Sequence, residues 1–226
     1  PSGYDINFTG EQEEQAESQA FLMQALLIAV LTIFLIIVSQ FNSVTVPFII
    51  MASVILSTIG VFLGLVIFNM DFVIIMTGIG IISLAGVVVN NAIVLIDYTN
   101  LVIKRRKAAL GLEEEDMLPY NELVNAVMEG GKIRLRPVLL TAITTVLGLI
   151  PLAIGLNINY YTLVTQLDPQ IYYGGTNASF WGPMAWTVIF GLIFATFLTL
   201  VVVPVMYLIK EKIFRYFHKK QPQQAA

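Results

Sequence analysis

The chain has 226 residues, a formal net charge of −3 and no cysteine, with 57% hydrophobic but only 12% charged side chains. Soluble domains carry roughly 25% charged residues, so a water-soluble globule is excluded for want of polar surface to cover it. Lack of cysteine excludes disulfides and thiolate metal sites alike.

Residues 1–10, PSGYDINFTG, carry strand-like aromatic and β-branched residues but too few to make a sheet. They read as the tail of a preceding domain. Glu11–Gln19 is polar and helix-prone and is expected to lead into the first span, so residues 1–19 are assigned to a domain end plus helix lead-in. Five apolar runs follow: Phe21–Val38, Val46–Phe68, Phe72–Ile96, Val138–Leu156 and Met184–Ile209. None contains a Lys, Arg, Asp or Glu. Each reaches about 18 residues or more, enough at 1.5 Å per residue to cross roughly 30 Å of hydrocarbon. The first run is not expected to be a cleaved signal peptide, because acidic residues precede it where a basic region would stand. The reading is an all-α integral membrane domain over residues 20–209. Its five transmembrane helices lie at about 21–38, 46–68, 72–98, 137–156 and 184–209.

Within the 99–136 loop, a short helical pattern runs from about Tyr120 to Met128, with Leu123, Val124 and Val127 as its apolar face. Gly130 and Gly131 are expected to stop it, and Pro137 suits the first turn of the fourth span. The segment reads as a surface helix along the membrane, and Glu113–Asp116 as a solvated charge run. In the 157–183 loop, Tyr160, Tyr161, Tyr172, Tyr173, Phe180 and Trp181 suit a water–lipid interface. Substrate contact is the second reading there. Asn7-Phe-Thr9 and Asn177-Ala-Ser179 match the glycosylation triplet, which matters only in a eukaryotic secretory setting. Residues 210–226 form a tail.

All 12 Lys and Arg fall within Lys104–Arg136 and Lys210–Lys220. The positive-inside rule therefore puts loop 99–136, the C-terminal tail and the short SQFNSVTVP connection in the cytoplasm. The acidic start and loop 157–183 are then outside. An odd number of spans and an abrupt acidic start make the chain read as a fragment.

The third span carries a polar stripe. Ser83, Gly86, Asn90 and Asp97 stand at i, i+3, i+7 and i+14 on one helical face, with Asn91 one residue round from it. On the fourth span, Thr141, Thr144, Thr145 and Gly148 make a second small and polar face. Asn90 and Thr141 lie about five and six residues to the cytoplasmic side of their span centres, roughly 8–9 Å at helical rise, so the stripes can meet. Two readings stand side by side: polar glue between helices, or part of an ion pathway. A proton relay needs a titratable group, and Asn and Thr supply none. Asp97 reads as an interfacial acid near the Lys104–Lys107 cluster.

The segments GIGIISLAGVVVNNAIVLIDYTN, RLRPVLLTAITTVLGLIPLA and LTLVVVPVMY resemble the C-terminal half of resistance–nodulation–division (RND) efflux transporters. GYDINFTGEQEEQ resembles the end of that half's porter domain. The resemblance covers nearly the whole chain, with its motifs in the family's order and spacing. It implies half of a pseudo-repeated transporter bundle, spans eight to twelve of twelve, in the bacterial inner membrane with a cytoplasmic C-terminus. It further implies proton-driven export, with proton-binding aspartates in the other half, in a segment equivalent to VVVNNAIVLID. Asn90, Asn91, Thr141, Thr144 and Thr145 would then line the relay behind those acids. Where many drug exporters have a lysine, this chain has Asn90. The acidic or methionine-rich positions of metal-exporting relatives have no clear match, which favours organic, drug-like cargo. Implied partners are the N-terminal half, a homotrimer, a periplasmic adaptor, an outer-membrane channel and membrane lipids. No enzyme activity, resident cofactor, metal or nucleic acid is implied, and the coupling ion is H+. The alternative is a non-transporting membrane scaffold or assembly subunit with a half-transporter fold.

The charge distribution makes a topological prediction. Single-cysteine labelling should find Glu114 protected from a membrane-impermeant reagent in intact cells and Asn177 accessible. Reaction at Glu114 would reverse the orientation.

Overall fold

The structure is a computed structural model describing residues 10–113 and 116–220; the strand-like start, Glu114, Glu115 and residues 221–226 lie outside the described residues. Five helices carry the apolar runs: α1 (Glu11–Phe41), α2 (Thr45–Ile67), α3 (Ile74–Ala109), α4 (Tyr120–Ile154) and α6 (Thr176–Lys220). Each is long and apolar enough to cross a membrane. Between α4 and α6 lie β1 (Leu156–Asn157), the short α5 (Tyr160–Gln166) and β2 (Tyr172–Tyr173). Glu11–Gln19 is continuous with the first span, as its helix-prone sequence predicts. Left-handed residues end two of the long helices: Asn42 (φ 44°) after α1 and Gly155 (φ 65°) after α4.

Helix α6 is the hub, packing against α2, α3 and α4, whereas α1 packs mainly on the α2–α3 edge of this group. In its most apolar stretch α1 is 6% buried, against 50% for α2, α3 and α6. The core therefore sits between α2, α3 and α6, around Ile50, Val61, Leu84, Val88, Leu95 and Leu192. Two glycines bring α2 close to α6. Gly60 and Gly64 of α2, four residues apart on one face, receive Phe194 and Phe190 of α6. A Cβ built at Gly60 would fall 2.2 Å from Phe194 Cβ, and one at Gly64 would fall 2.2 Å from Phe190 Cγ. Small residues at this spacing let backbones approach where apolar burial against lipid gives no net drive. Phe190 in turn stacks on Phe68 and Trp186, with ring centroids 5.0 Å and 5.3 Å away.

Helix α4 corrects the sequence reading. Neither Gly130–Gly131 nor Pro137 interrupts it; one helix runs from Tyr120 to Ile154 with Pro137 inside. Gly130 serves a crossing and not a stop: it is buried against α3, where an added Cβ would sit 2.8 Å from Thr99 Oγ1. Pro137 lacks the N–H that would bond the Ile133 carbonyl. Ile133 is exposed beside Lys132, Arg134 and Arg136, at a level where water can take that bond. The Tyr120–Met128 segment is thus a basic-side extension of the fourth span, held upright by side chains. Arg106 of α3 donates to Glu122 (2.5 Å) and Glu129 (2.7 Å), the Arg134 guanidinium lies 4.6 Å from the Tyr98 ring centre, and Arg215 of α6 donates to the Leu118 carbonyl.

Close approach at α2 predicts a contrast between two glycines. Gly64→Ala should lower stability by about 1–3 kcal/mol, the usual cost of overpacking, because the atoms it meets are the Phe190 ring base. Gly131→Ala, with nothing within 4 Å of the new methyl, should be neutral or mildly stabilising. Thermal unfolding in lipid nanodiscs measures both; equal effects would refute the close-packing account.

Candidate functional site

Helix α3 has two faces. Leu84, Val88, Asn91, Leu95, Thr99 and Val102 recur at three- and four-residue spacing and are all buried. Ser83, Gly86, Asn90 and Asp97 lie on the other side and are all exposed. The two adjacent asparagines are therefore divided by the 100° turn between neighbouring helical residues. Asn91 goes inward, 6% exposed. Asn90 goes outward, with no hydrogen-bond partner among the described residues.

The stripes of α3 and α4 do meet, through Asn91 and not Asn90. Thr141 Oγ1 lies 3.5 Å from Asn91 Oδ1 and 2.9 Å from the Val138 carbonyl oxygen. A hydroxyl has one proton to give, and the shorter contact takes most of it. Thr144 donates to the Leu140 carbonyl and Thr145 to the Thr141 carbonyl, each at 2.8 Å. These bonds to preceding carbonyls satisfy the hydroxyls within their own helix. Thr141 and Thr144 remain exposed, and Gly148 beside them would meet nothing within 4 Å if it gained a Cβ; the same is true of Gly86 on α3.

Chemically, the outcome is an open polar face built on a rigid apolar pair of helices. An unpaired carboxamide in hydrocarbon costs several kcal/mol, so Asn90 requires a polar cover. Its amide can donate and its carbonyl accept, but neither titrates. The face can orient and tune a proton carrier without being one. Among the described residues no group of three or more His, Cys, Asp or Glu side chains could hold a metal ion.

A polar link missed by the sequence reading lies one turn beyond Asp97. Tyr207 of α6 donates its hydroxyl to Asn100 Oδ1 at 2.7 Å, and Lys210 stands over the Tyr207 ring, 5.2 Å from its centre. Asn100, Lys104 and Lys107 border a cleft of about 280 Å³ with Ile103, Ala108 and Leu112. No periodicity marks Tyr207, so only the fold joins residues 107 positions apart.

The model of the AcrB/AcrD/AcrF family matches residues 1–211. The chain belongs to the AcrB/AcrD/AcrF family of RND transporters. Among curated proteins, the swarming motility protein SwrC of Bacillus subtilis is 34% identical over 222 residues, covering 98% of this chain and 18% of SwrC. Multidrug resistance protein MdtC of Erwinia amylovora is 26% identical, over 95% of this chain and 18% of its own length. Cobalt-zinc-cadmium resistance protein CzcA of Cupriavidus metallidurans is 29% identical, over 92% and 16%. A crystal structure of a heavy metal efflux pump superposes with a TM-score of 0.67 at 29% identity, covering 92% of this chain and 18% of that one. The chain thus spans less than a fifth of the length of these relatives, and its fold of five candidate membrane-spanning helices matches an efflux pump structure.

Proposed function

We propose that this chain is the membrane part of a proton-driven RND-type efflux transporter, and that its α3–α4 face forms the second-half wall of the proton-relay site. One observation carries the reading: an RND-family helix pair leaves Asn90, Gly86, Thr141 and Thr144 uncovered on a surface otherwise suited to lipid. Polar groups at such depth tend to mark ion pathways. The proton-binding acid comes from the N-terminal half of the same transporter, which packs over this face. Asn90 donates to its ionised form. Asn91 and Thr141 hold the wall behind it, Thr144 and Thr145 extend it, and Asp97 is an acid at its cytoplasmic end.

The whole assembly is a homotrimer in the bacterial inner membrane, with the C-terminus in the cytoplasm and a periplasmic adaptor and outer-membrane channel as partners. Its cargo is organic and drug-like, a reading supported by the likeness to multidrug resistance protein MdtC. CzcA and the heavy metal pump favour metal ions as the second reading, and export assays with both classes separate the two. Transport makes no enzymatic demand on the chain.

A donor that bonds a carboxylate better than the carboxylic acid lowers its pKa, so removing it raises the pKa. Hydrogen bonds to charged groups contribute roughly 1.5–3 kcal/mol, and one pH unit is about 1.4 kcal/mol. Asn90→Leu should therefore move the pH profile of export upward by about one to two units and lower transport per folded protein. Thr141→Val should shift it the same way by less, since its proton rests chiefly on Val138. Export at several pH values, normalised to folded protein, tests this. An unchanged normalised rate and profile in both variants would reduce these residues to packing.

A further inference from the structure

The segment between α4 and α6 is an ordered unit that does not cover its own apolar side chains. Its neck is closed by backbone: Leu156 pairs with Tyr173 and Asn157 with Tyr172, antiparallel. Gly174 N donates to the Gly155 carbonyl at 2.9 Å, and Asn157 Nδ2 donates to the carbonyls of Gly155 and Gly174, both at 2.8 Å. Farther out, Asn159 caps α5 by accepting from Thr162 N, and its own N–H donates to the Pro169 carbonyl. The backbone of the loop is thus tied to itself. Yet Tyr160, Tyr161, Val164, Leu167, Tyr172 and Tyr173 are 56–87% exposed. Tyr160, Tyr161, Val164 and Leu167 stand at i, i+1, i+4 and i+7, one face of α5 and its C-cap.

We propose that this face lies in the headgroup–acyl boundary of the membrane leaflet opposite the basic segments, its occupant a phospholipid surface. Three observations select lipid. First, the tether is short: the neck joins the last turn of one spanning helix to the first of another, and seven residues of α5 reach only about 10 Å at helical rise. Second, Asp168 is the only charged residue between Arg136 and Lys210, whereas a water-facing loop of this length would carry several. Third, the ends of the spanning helices on either side of the loop also expose apolar side chains, Leu152 and Ile154 on α4 and Phe180 and Trp181 on α6. Tyrosine and tryptophan rings are at home at this depth, with an apolar body and a polar tip. The inference is independent of proton coupling and of cargo.

The experiment uses the absence of cysteine in the chain. A bimane fluorophore is placed on Val164→Cys, and separately on Leu167→Cys, in the intact protein in phospholipid nanodiscs, other cysteines being removed. Nitroxide-bearing lipids labelled near the carbonyl should quench it several-fold more than aqueous iodide does. Quenching by iodide alone would make the loop a water-exposed lobe and overturn the proposal. Protection from both quenchers would mean that protein covers the face, from a second copy or another part of the transporter, and would overturn it equally. Should one labelled variant fail to fold, the other carries the same readout.

Discussion

The structure depends on one constraint: in hydrocarbon, a polar group must find its partner inside the protein. Most hydroxyls on the packed helices meet it locally. Ser53, Ser57 and Thr196 donate to the carbonyls of Ile50, Val54 and Leu192 at 2.6 Å, and Thr187 donates to Pro183 at 2.7 Å. Thr77, buried without a hydrogen bond, is an exception among the described residues. Because these side chains ask nothing of their neighbours, the helices associate through shape, glycine against phenylalanine. A polar side chain left unsatisfied on such a scaffold then carries information. Asn90 is one, and it lies where no described helix covers it.

The same constraint explains how the open face is mounted. Helix α3 is locked from behind by α6, where a Cβ at Gly80 would fall 2.8 Å from Thr187 Cβ and one at Gly191 would fall 2.1 Å from Leu84 Cδ2. Helix α4 is tied to α3 at the Gly130–Thr99 crossing and by Arg106 reaching Glu122 and Glu129. The two bridges of Arg106 are partly exposed and screened, so they set geometry more than stability. A wall that tunes a carboxylate needs its donors fixed to within about half an ångström. Packed helices provide that better than loops do.

Span number was legible because eighteen uncharged apolar residues have few other uses. The meeting of the α3 and α4 stripes was legible too, from depth arithmetic alone. Which asparagine makes the contact was not. Asn90 and Asn91 both sit among valines, alanines and isoleucines, and a one-residue shift of the helix about its axis exchanges their roles. Only the position of α6 decides. Continuity of α4 was misread for a related reason: Gly130 and Pro137 are local breakers in water, but the crossing at Thr99 uses the glycine and exposure at Ile133 tolerates the proline. Gly60 and Gly64 offered a readable signal in their four-residue spacing that the sequence reading passed over. Asn100 and Tyr207 offered none.

The central claim is that Asn90 bonds an ionised carboxylate contributed by the partner half. Infrared titration of the intact transporter reports that carboxyl group directly, through the protonated C=O band as pH is lowered. The account predicts that Asn90→Leu shifts the midpoint of this band upward, while Ser83→Ala, on the same face but without an amide, leaves it in place. An identical midpoint in the wild-type and Asn90→Leu proteins would contradict the claim.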